Sequence, residues 1–450
     1  MREDMKIIIT FALNFRTIQM NIEQLYRIFR QHPVISTDSR TCPRGAIFFA
    51  LKGDKFDGND FVRKVLRAGA ACAVADRIDE GAFCPPNIIK VDNALKTLQQ
   101  LAGYHRKQMS ATVIAITGTN GKTTTKELIA AALSTKYTTL YTKGNLNNHI
   151  GVPLTLLRLT PRDRFAVIEM GANHPGEIRD LCAIAAPDCG LITNVGKAHL
   201  EGFGSFEGVI RTKTELYSYL KSKKATVFAN IDNHTLQGYH KNMSAIYYGT
   251  APEAYIHGRV TDVNPTLQFE WQHGEVAHIC QTQLAGAYNL ENVLAAICVA
   301  SRFDVPDDAI NAAIAAYKPT NNRSQIVKTK TNTVIVDAYN ANPSSMLAAL
   351  ENFKLAEGAK KVVILGEMKE LGAYSHEEHQ KIVDWLRDSG MAVLLVGKDF
   401  AECAALNPDW QVFDTTADLL SCVQQNPISD CAVLVKGSHA NGLEAVVPCL

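Results

Sequence analysis

Apolar and polar positions change texture twice along the chain. Over residues 20–109 the segments are short and mixed. Apolar runs at 46–51 and 70–75 predict strands, 60–68 predicts a helix, and the polar loop 52–58 lies between the first strand and that helix. From Thr112 a long strand–helix alternation begins. Strands are predicted at 113–117, 165–169 and 190–195, and helices at 123–134, 176–185, 209–220 and 290–301. Lys318-Pro319-Thr320-Asn321-Asn322 reads as a linker, and a second alternation follows with strands at 333–336, 361–365, 392–396 and 432–435. Alternation of this kind implies parallel sheets with helices on both faces. The expected fold is therefore α/β with three domains. These are a small mixed α/β domain at 20–109, a central parallel-sheet domain at 110–317 and a Rossmann-like domain at 318–450. Residues 1–19 read as an N-terminal extension, with Met20 as a second candidate start.

Composition narrows the function classes. With 46 basic against 45 acidic residues the net charge is +1, which argues against nucleic-acid binding by bulk electrostatics. Apolar runs fall short of a bilayer span, and 7–12 makes a poor signal peptide after Glu3 and Asp4. The eleven cysteines are scattered without a Cys-x-x-Cys pair and read as reduced, mostly buried thiols. A cytoplasmic protein is expected.

The strongest local signal is Thr117-Gly118-Thr119-Asn120-Gly121-Lys122-Thr123-Thr124, set between an apolar strand and a helix. Backbone amides and a helix N-terminus there can cradle a nucleotide's phosphates. Lys122 would reach the terminal phosphates, and the hydroxyl of Thr123 or Thr124 would meet a magnesium ion. The loop is the short G-x-x-G-K-T form, because Ile116 stands where the longer form has its first glycine. Phosphoryl transfer also needs charge neutralisation, so acids at neighbouring strand ends are candidates. Glu169 ends one predicted strand and could hold metal, or could simply cap a helix or face solvent. His199 follows the next strand in Asn194-Val195-Gly196-Lys197-Ala198-His199. Composition alone leaves Lys213 an ordinary solvated lysine. His376-Glu377-Glu378-His379 spaces its histidines three apart where a zinc helix needs four, and reads as a polar helix start.

Together these segments resemble the Mur ligases, which build the peptide stem of peptidoglycan. The resemblance runs from Met20 almost to the end. It rests on Thr37-Asp38-Ser39-Arg40, residues 45–53, the phosphate loop, the asparagine-rich 144–156, residues 169–178, the His199 segment, residues 337–343 and Val435-Lys436-Gly437-Ser438. The phosphate loop is shared with folylpolyglutamate synthases. The blocks at 144–153, 170–178 and 198–204 resemble the member that adds a dipeptide last.

The resemblance implies an ATP-dependent ligase that joins D-alanyl-D-alanine to UDP-MurNAc-tripeptide through an acyl phosphate. Its alternatives are the sister enzyme adding a diamino acid, folylpolyglutamate synthase, or a non-catalytic nucleotide-binding protein. It implies that Gly118, Thr119, Asn120, Gly121, Lys122, Thr123, Thr124, Asn289, Asn292, Arg323 and Asp337 meet ATP. Thr123, Glu169, His199 and a carbamylated Lys213 would organise Mg2+, and Lys122, Lys213, Arg323 and His199 would carry the catalysis. Lys436 would add charge to the closed site. Thr37, Ser39 and Arg40 would grip the UDP end, and Asn147 and Asn148 would face the peptide. Tyr288 stands where the family often has a histidine near the adenine. The implied partners are small molecules, with no nucleic acid, no membrane insertion and a monomeric state.

Overall fold

The structure is a computed structural model describing residues 20–78, 87–356, 360–405, 407 and 409–450; the expected extension at 1–19 lies outside these residues. Contacts divide the chain into two compact units. Of the described residues, those within 20–113, 140–170 and 180–187 make up one, and those within 114–139, 171–179 and 188–450 the other.

In the first unit, strands β1 (Ile35–Ser36), β2 (Ile47–Phe49), β3 (Cys72–Ala75) and β4 (Ile88–Lys90) form a parallel sheet in sequence order. The apolar runs at 46–51 and 70–75 thus yield strands that are fully buried. Helix Ile22–Gln31 starts at Asn21, whose side chain accepts from the Gln24 amide while Gln24 reaches back, a reciprocal cap. It packs on helix Ala94–Lys107, where the Tyr26 hydroxyl meets His105 Nδ1 at 3.1 Å. Strands β6 (Thr139–Tyr141, within this unit from Leu140) and β7 (Phe165–Glu169) are neighbours in the same unit.

The second unit carries strands that follow the order β13–β12–β11–β10–β9–β8–β5. They are β5 (Thr112–Thr117, within this unit from Ile114), β8 (Cys189–Ile192), β9 (Thr226–Asn230), β10 (Ser244–Gly249), β11 (Ile256–Asp262), β12 (Gln268–His273) and β13 (Val276–Gln281). From β5 to β11 the pairing is parallel, with Ile114 opposite Cys189. The purely parallel expectation fails beyond β11, because β12 and β13 pair antiparallel. Phe269 and Trp271 are buried while their neighbours are only partly so, the period-two signature of a sheet covered on one face. The predicted helix 209–220 is also two helices, Phe206–Lys213 and Glu215–Ser222. Thr214 interrupts them, its hydroxyl turned back onto the carbonyls of Ile210 and Arg211. Lys213 therefore ends a helix.

A third sheet follows β14 (Gln325–Lys328), β15 (Thr333–Asp337), β19 (Ala432–Lys436), β16 (Lys361–Gly366), β17 (Ala392–Val396) and β18 (Gln411–Phe413) in that spatial order. It is parallel except for β14. Val334, Val336, Ile364, Val433 and Val435 form its core. His376 to His379 do open a helix, Ser375–Arg387, and His379 Nε2 accepts from the Met368 amide at 3.0 Å. Among the described residues no helix is long and apolar enough to cross a membrane.

Candidate active site

Strand β5 delivers the chain into the loop Gly118–Gly121, and helix Lys122–Ser134 starts at once. Gly121 sits at φ +76, and a Cβ there would lie 2.3 Å from Asn292 Oδ1, so the turn accepts only glycine. The loop is clamped from the end of β8. The Thr119 amide donates to the Asn194 carbonyl and the Asn120 amide to Asn194 Oδ1, both at 2.9 Å. Thr193 Oγ1 donates to the Asn120 carbonyl at 2.6 Å. Lys122 Nζ donates to the carbonyls of Gly118 and Thr119 at 2.9 Å each, which holds a cation over the loop. A helix N-terminus, a fixed loop and a cation together favour a polyphosphate anion. Thr123 and Thr124 are buried in the first turn.

Asn289 and Asn292, buried at the start of helix Asn289–Arg302, are engaged by the protein. Asn292 Nδ2 donates to Asn289 Oδ1 at 2.8 Å, and Asn292 Oδ1 accepts from Thr125 Oγ1 at 3.0 Å. These bonds tie that helix to the phosphate-loop helix. Tyr288 turns its hydroxyl to Ser324 Oγ at 2.8 Å.

Lys213 is 2% exposed, and its Nζ donates to the Ala172 carbonyl at 3.4 Å. Burial, reinforced by the nearby Lys122 charge, pushes its ammonium down to about 7, against the partial support of Glu177 and Glu215. A neutral amine is thus available near neutral pH. His199, at φ +50, presents Nδ1 to the Glu370 carboxylate. Glu370 is held below the usual glutamate range by that hydrogen bond, with burial opposing it.

The third sheet supplies further partners to the loop. Asn342 caps helix Pro343–Leu355 and donates through Nδ2 to Asn120 Oδ1 at 2.8 Å. Ser344 Oγ accepts from the Lys197 amide at 3.1 Å, and Lys197 Nζ meets Glu378 at 2.7 Å. The Arg323 guanidinium stacks over the Tyr339 ring at 3.9 Å. Asp337 and Lys436 end adjacent parallel strands in register and pair at 2.5 Å, with Lys436 wholly buried. Asn194, Asn342, Glu370 and Glu378 were not singled out from sequence. Asn342-Pro343 carried the available signal, since asparagine before proline marks a helix start.

In the first unit, Glu169 is buried at the end of β7, where Asn147 Nδ2 donates to its Oε1 at 2.8 Å. Asn148 Oδ1 accepts the amides of Ile150 and Gly151, organising the start of helix Gly151–Leu156. Arg40 grips Asp38 through two bonds of 2.9 and 2.7 Å, and this holds Asp38 down at about 2. Thr37 and Ser39 stand on either side of Asp38 in the chain. Glu169 and Asn147 thus belong to one unit, and Lys122, Thr123, His199 and Lys213 to the other.

Comparison with known proteins bears on this arrangement. Residues 33–106 match the Mur ligase family catalytic domain, 116–300 the Mur ligase middle domain, and 322–439 the Mur ligase glutamate ligase domain. The UDP-N-acetylmuramoyl-tripeptide–D-alanyl-D-alanine ligase of Escherichia coli K12 is 35% identical over 92% of this chain and 93% of its own. A crystal structure of MurF from Acinetobacter baumannii superposes with a TM-score of 0.83 at 30% identity, covering 92% of each chain. MurF from Thermotoga maritima in complex with ADP gives 0.82 at 28% identity, covering 92% of this chain and 96% of that one. With matches across all three sheets and identity at this level over nine-tenths of the sequence, the chain belongs to the Mur ligase family.

Proposed function

We propose that this chain joins D-alanyl-D-alanine to UDP-MurNAc-tripeptide in the cytoplasm, converting ATP to ADP and phosphate. The clamped phosphate loop with Lys122 fixed over it supports the ATP-dependent chemistry. The dipeptide assignment follows the relatives of that name, which align along nearly the full chain.

The tripeptide's terminal carboxylate attacks the γ-phosphorus, and ADP leaves. The dipeptide amine then attacks the acyl carbon, and phosphate departs with one carboxylate oxygen. Loop amides, Lys122 and Arg323 would hold and neutralise the transferring group. Thr37, Ser39 and Arg40 would take the UDP end, and Asn147 and Asn148 the peptide. Asn289, Asn292 and Asp337 would complete the nucleotide site, with Lys436 adding positive charge. The domain boundaries near 109 and 317 belong to this reading, as does a monomeric state.

Among the described residues no trio of His, Cys, Asp and Glu forms a metal cluster. Magnesium suits such a site, because it commonly takes one or two carboxylates plus substrate phosphates. Taken one by one, the residues have chemistry that suits it: Glu169 is a buried carboxylate, Thr123 a first-turn hydroxyl, and Lys213 a buried amine able to take up carbon dioxide as an anionic carbamate. Thr123, Glu169, His199 and the carbamate would hold Mg2+, which supplies charge neutralisation to the phosphates. Turnover of tripeptide labelled with 18O in its terminal carboxylate tests the route. One 18O in the released phosphate is expected, and unlabelled phosphate would contradict an acyl phosphate.

A further inference from the structure

Glu127 has no part in the chemistry above. It lies on the phosphate-loop helix four residues after Thr123, hence on the same face one turn on. Its Oε2 accepts from the Tyr317 hydroxyl at 2.6 Å, and Asn321 Nδ2 lies 3.2 Å from Oε2 and 3.4 Å from Oε1. The wholly buried Lys126 ammonium is 3.4 Å from Oε1. Tyr317 and Asn321 flank the segment that leads from helix Asp307–Ala316 into Arg323 and β14.

The other side of Arg323 is also pinned. Ser324 meets the Tyr288 hydroxyl through Oγ, and its carbonyl accepts from the Ala285 amide at 3.2 Å. On either side of Arg323, Asn322 and Ser324 sit at φ +55 and +49, left-handed conformations in residues that carry a Cβ. Such backbone persists where its surroundings over-determine it. A continuous set of bonds therefore runs from the phosphate-loop helix to both flanks of Arg323.

We infer that Glu127 is a positioning residue: through Tyr317 and Asn321 it fixes the linker so that Arg323 is presented over Tyr339. The inference rests on the role proposed for Arg323 in phosphoryl transfer. Glu127 itself touches no substrate. Its effect falls on turnover rather than on nucleotide affinity, because the loop and Lys122 keep their own partners without it.

The test uses the full chain with Glu127→Ala, Glu127→Gln, Tyr317→Phe and the double variant Glu127→Ala/Tyr317→Phe. Three quantities are read: kcat with UDP-MurNAc-tripeptide and D-alanyl-D-alanine, the Kd of a non-hydrolysable ATP analogue, and amide exchange across 317–324. Losing a bonded carboxylate predicts that Glu127→Ala drops kcat by about tenfold or more. The analogue Kd is expected to move by less than about threefold, with exchange across 317–324 faster by about tenfold. Glu127→Gln keeps an oxygen for the Tyr317 hydroxyl and should recover most of the rate. Tyr317→Phe should lose less than Glu127→Ala, and the double variant should lose no more than Glu127→Ala. Wild-type kcat in Glu127→Ala, or an affinity loss proportional to its rate loss, overturns the inference. Exchange needs no turnover, so a wild type inactive on these substrates defeats the proposed function while the linker is still tested. Unchanged exchange in both Glu127→Ala and Tyr317→Phe then overturns the tether.

Discussion

Replacing Lys213 by methionine removes a buried amine while keeping most of the side chain's volume. The amine's affinity for a proton falls from the ordinary 10.5 to about 7 on folding, with burial the largest cause. The folded state thus binds the proton more weakly than the unfolded chain. Wild-type stability is accordingly penalised below the unfolded value and recovers as pH rises from about 7 through 10.5. Linkage places that penalty at about 5 kcal/mol at pH 6 and about 2 kcal/mol at pH 9. Methionine removes it, and its own packing contribution does not depend on pH. The stability difference between variant and wild type should therefore shift by about 3 kcal/mol in the variant's favour at pH 6 relative to pH 9. Denaturant unfolding at both pH values in carbon dioxide-free buffer measures the shift. A difference independent of pH would refute the reasoning. In wild type at pH 8, 13C-bicarbonate should give a carbamate carbonyl signal that the variant lacks. Lys213→Ala should lose activity and regain part of it with a short carboxylic acid.

Three further outcomes follow from the same contacts. Gly121→Ala meets both a positive φ and the Asn292 carboxamide, so affinity for an ATP analogue should fall by about tenfold or more. Calorimetry should show part of it restored in Gly121→Ala/Asn292→Ala. Lys436→Met strands the Asp337 carboxylate and should cost about 3 kcal/mol, with Asp337→Asn/Lys436→Met costing less, as read by chemical denaturation. Asp38 gains charge-form stabilisation from Arg40 that is present above its ordinary 3.8 and lost as pH falls through about 2. An NMR titration should show that low midpoint, and Arg40→Ala should return it toward 3.8.

The sequence carried the phosphate loop because its chemistry is local: glycines, lysine and threonines must be consecutive where strand meets helix. Buried strands such as Phe165–Glu169 and Ala392–Val396 were equally legible, being continuous apolar runs between turns. The antiparallel hairpin of Gln268–His273 and Val276–Gln281 was not assigned, because one-sided burial dilutes its pattern with Gln, His and Glu. The break at Thr214 was hidden because a single hydroxyl bonding backward leaves helical periodicity intact on either side. Lys213 showed nothing in composition; its environment is assembled from residues 122, 172, 177 and 215, which only the fold brings together. The same holds for Asn342 on Asn120 and Glu370 on His199, contacts across 222 positions in the first case.

Phosphate release from ATP and magnesium with UDP-MurNAc-tripeptide, with and without D-alanyl-D-alanine, tests the central claim most directly. Release that requires both substrates, with UDP-MurNAc-pentapeptide identified by mass, is the predicted result. Release instead with UDP-MurNAc-dipeptide and a diamino acid, and none with the tripeptide pair, would contradict it.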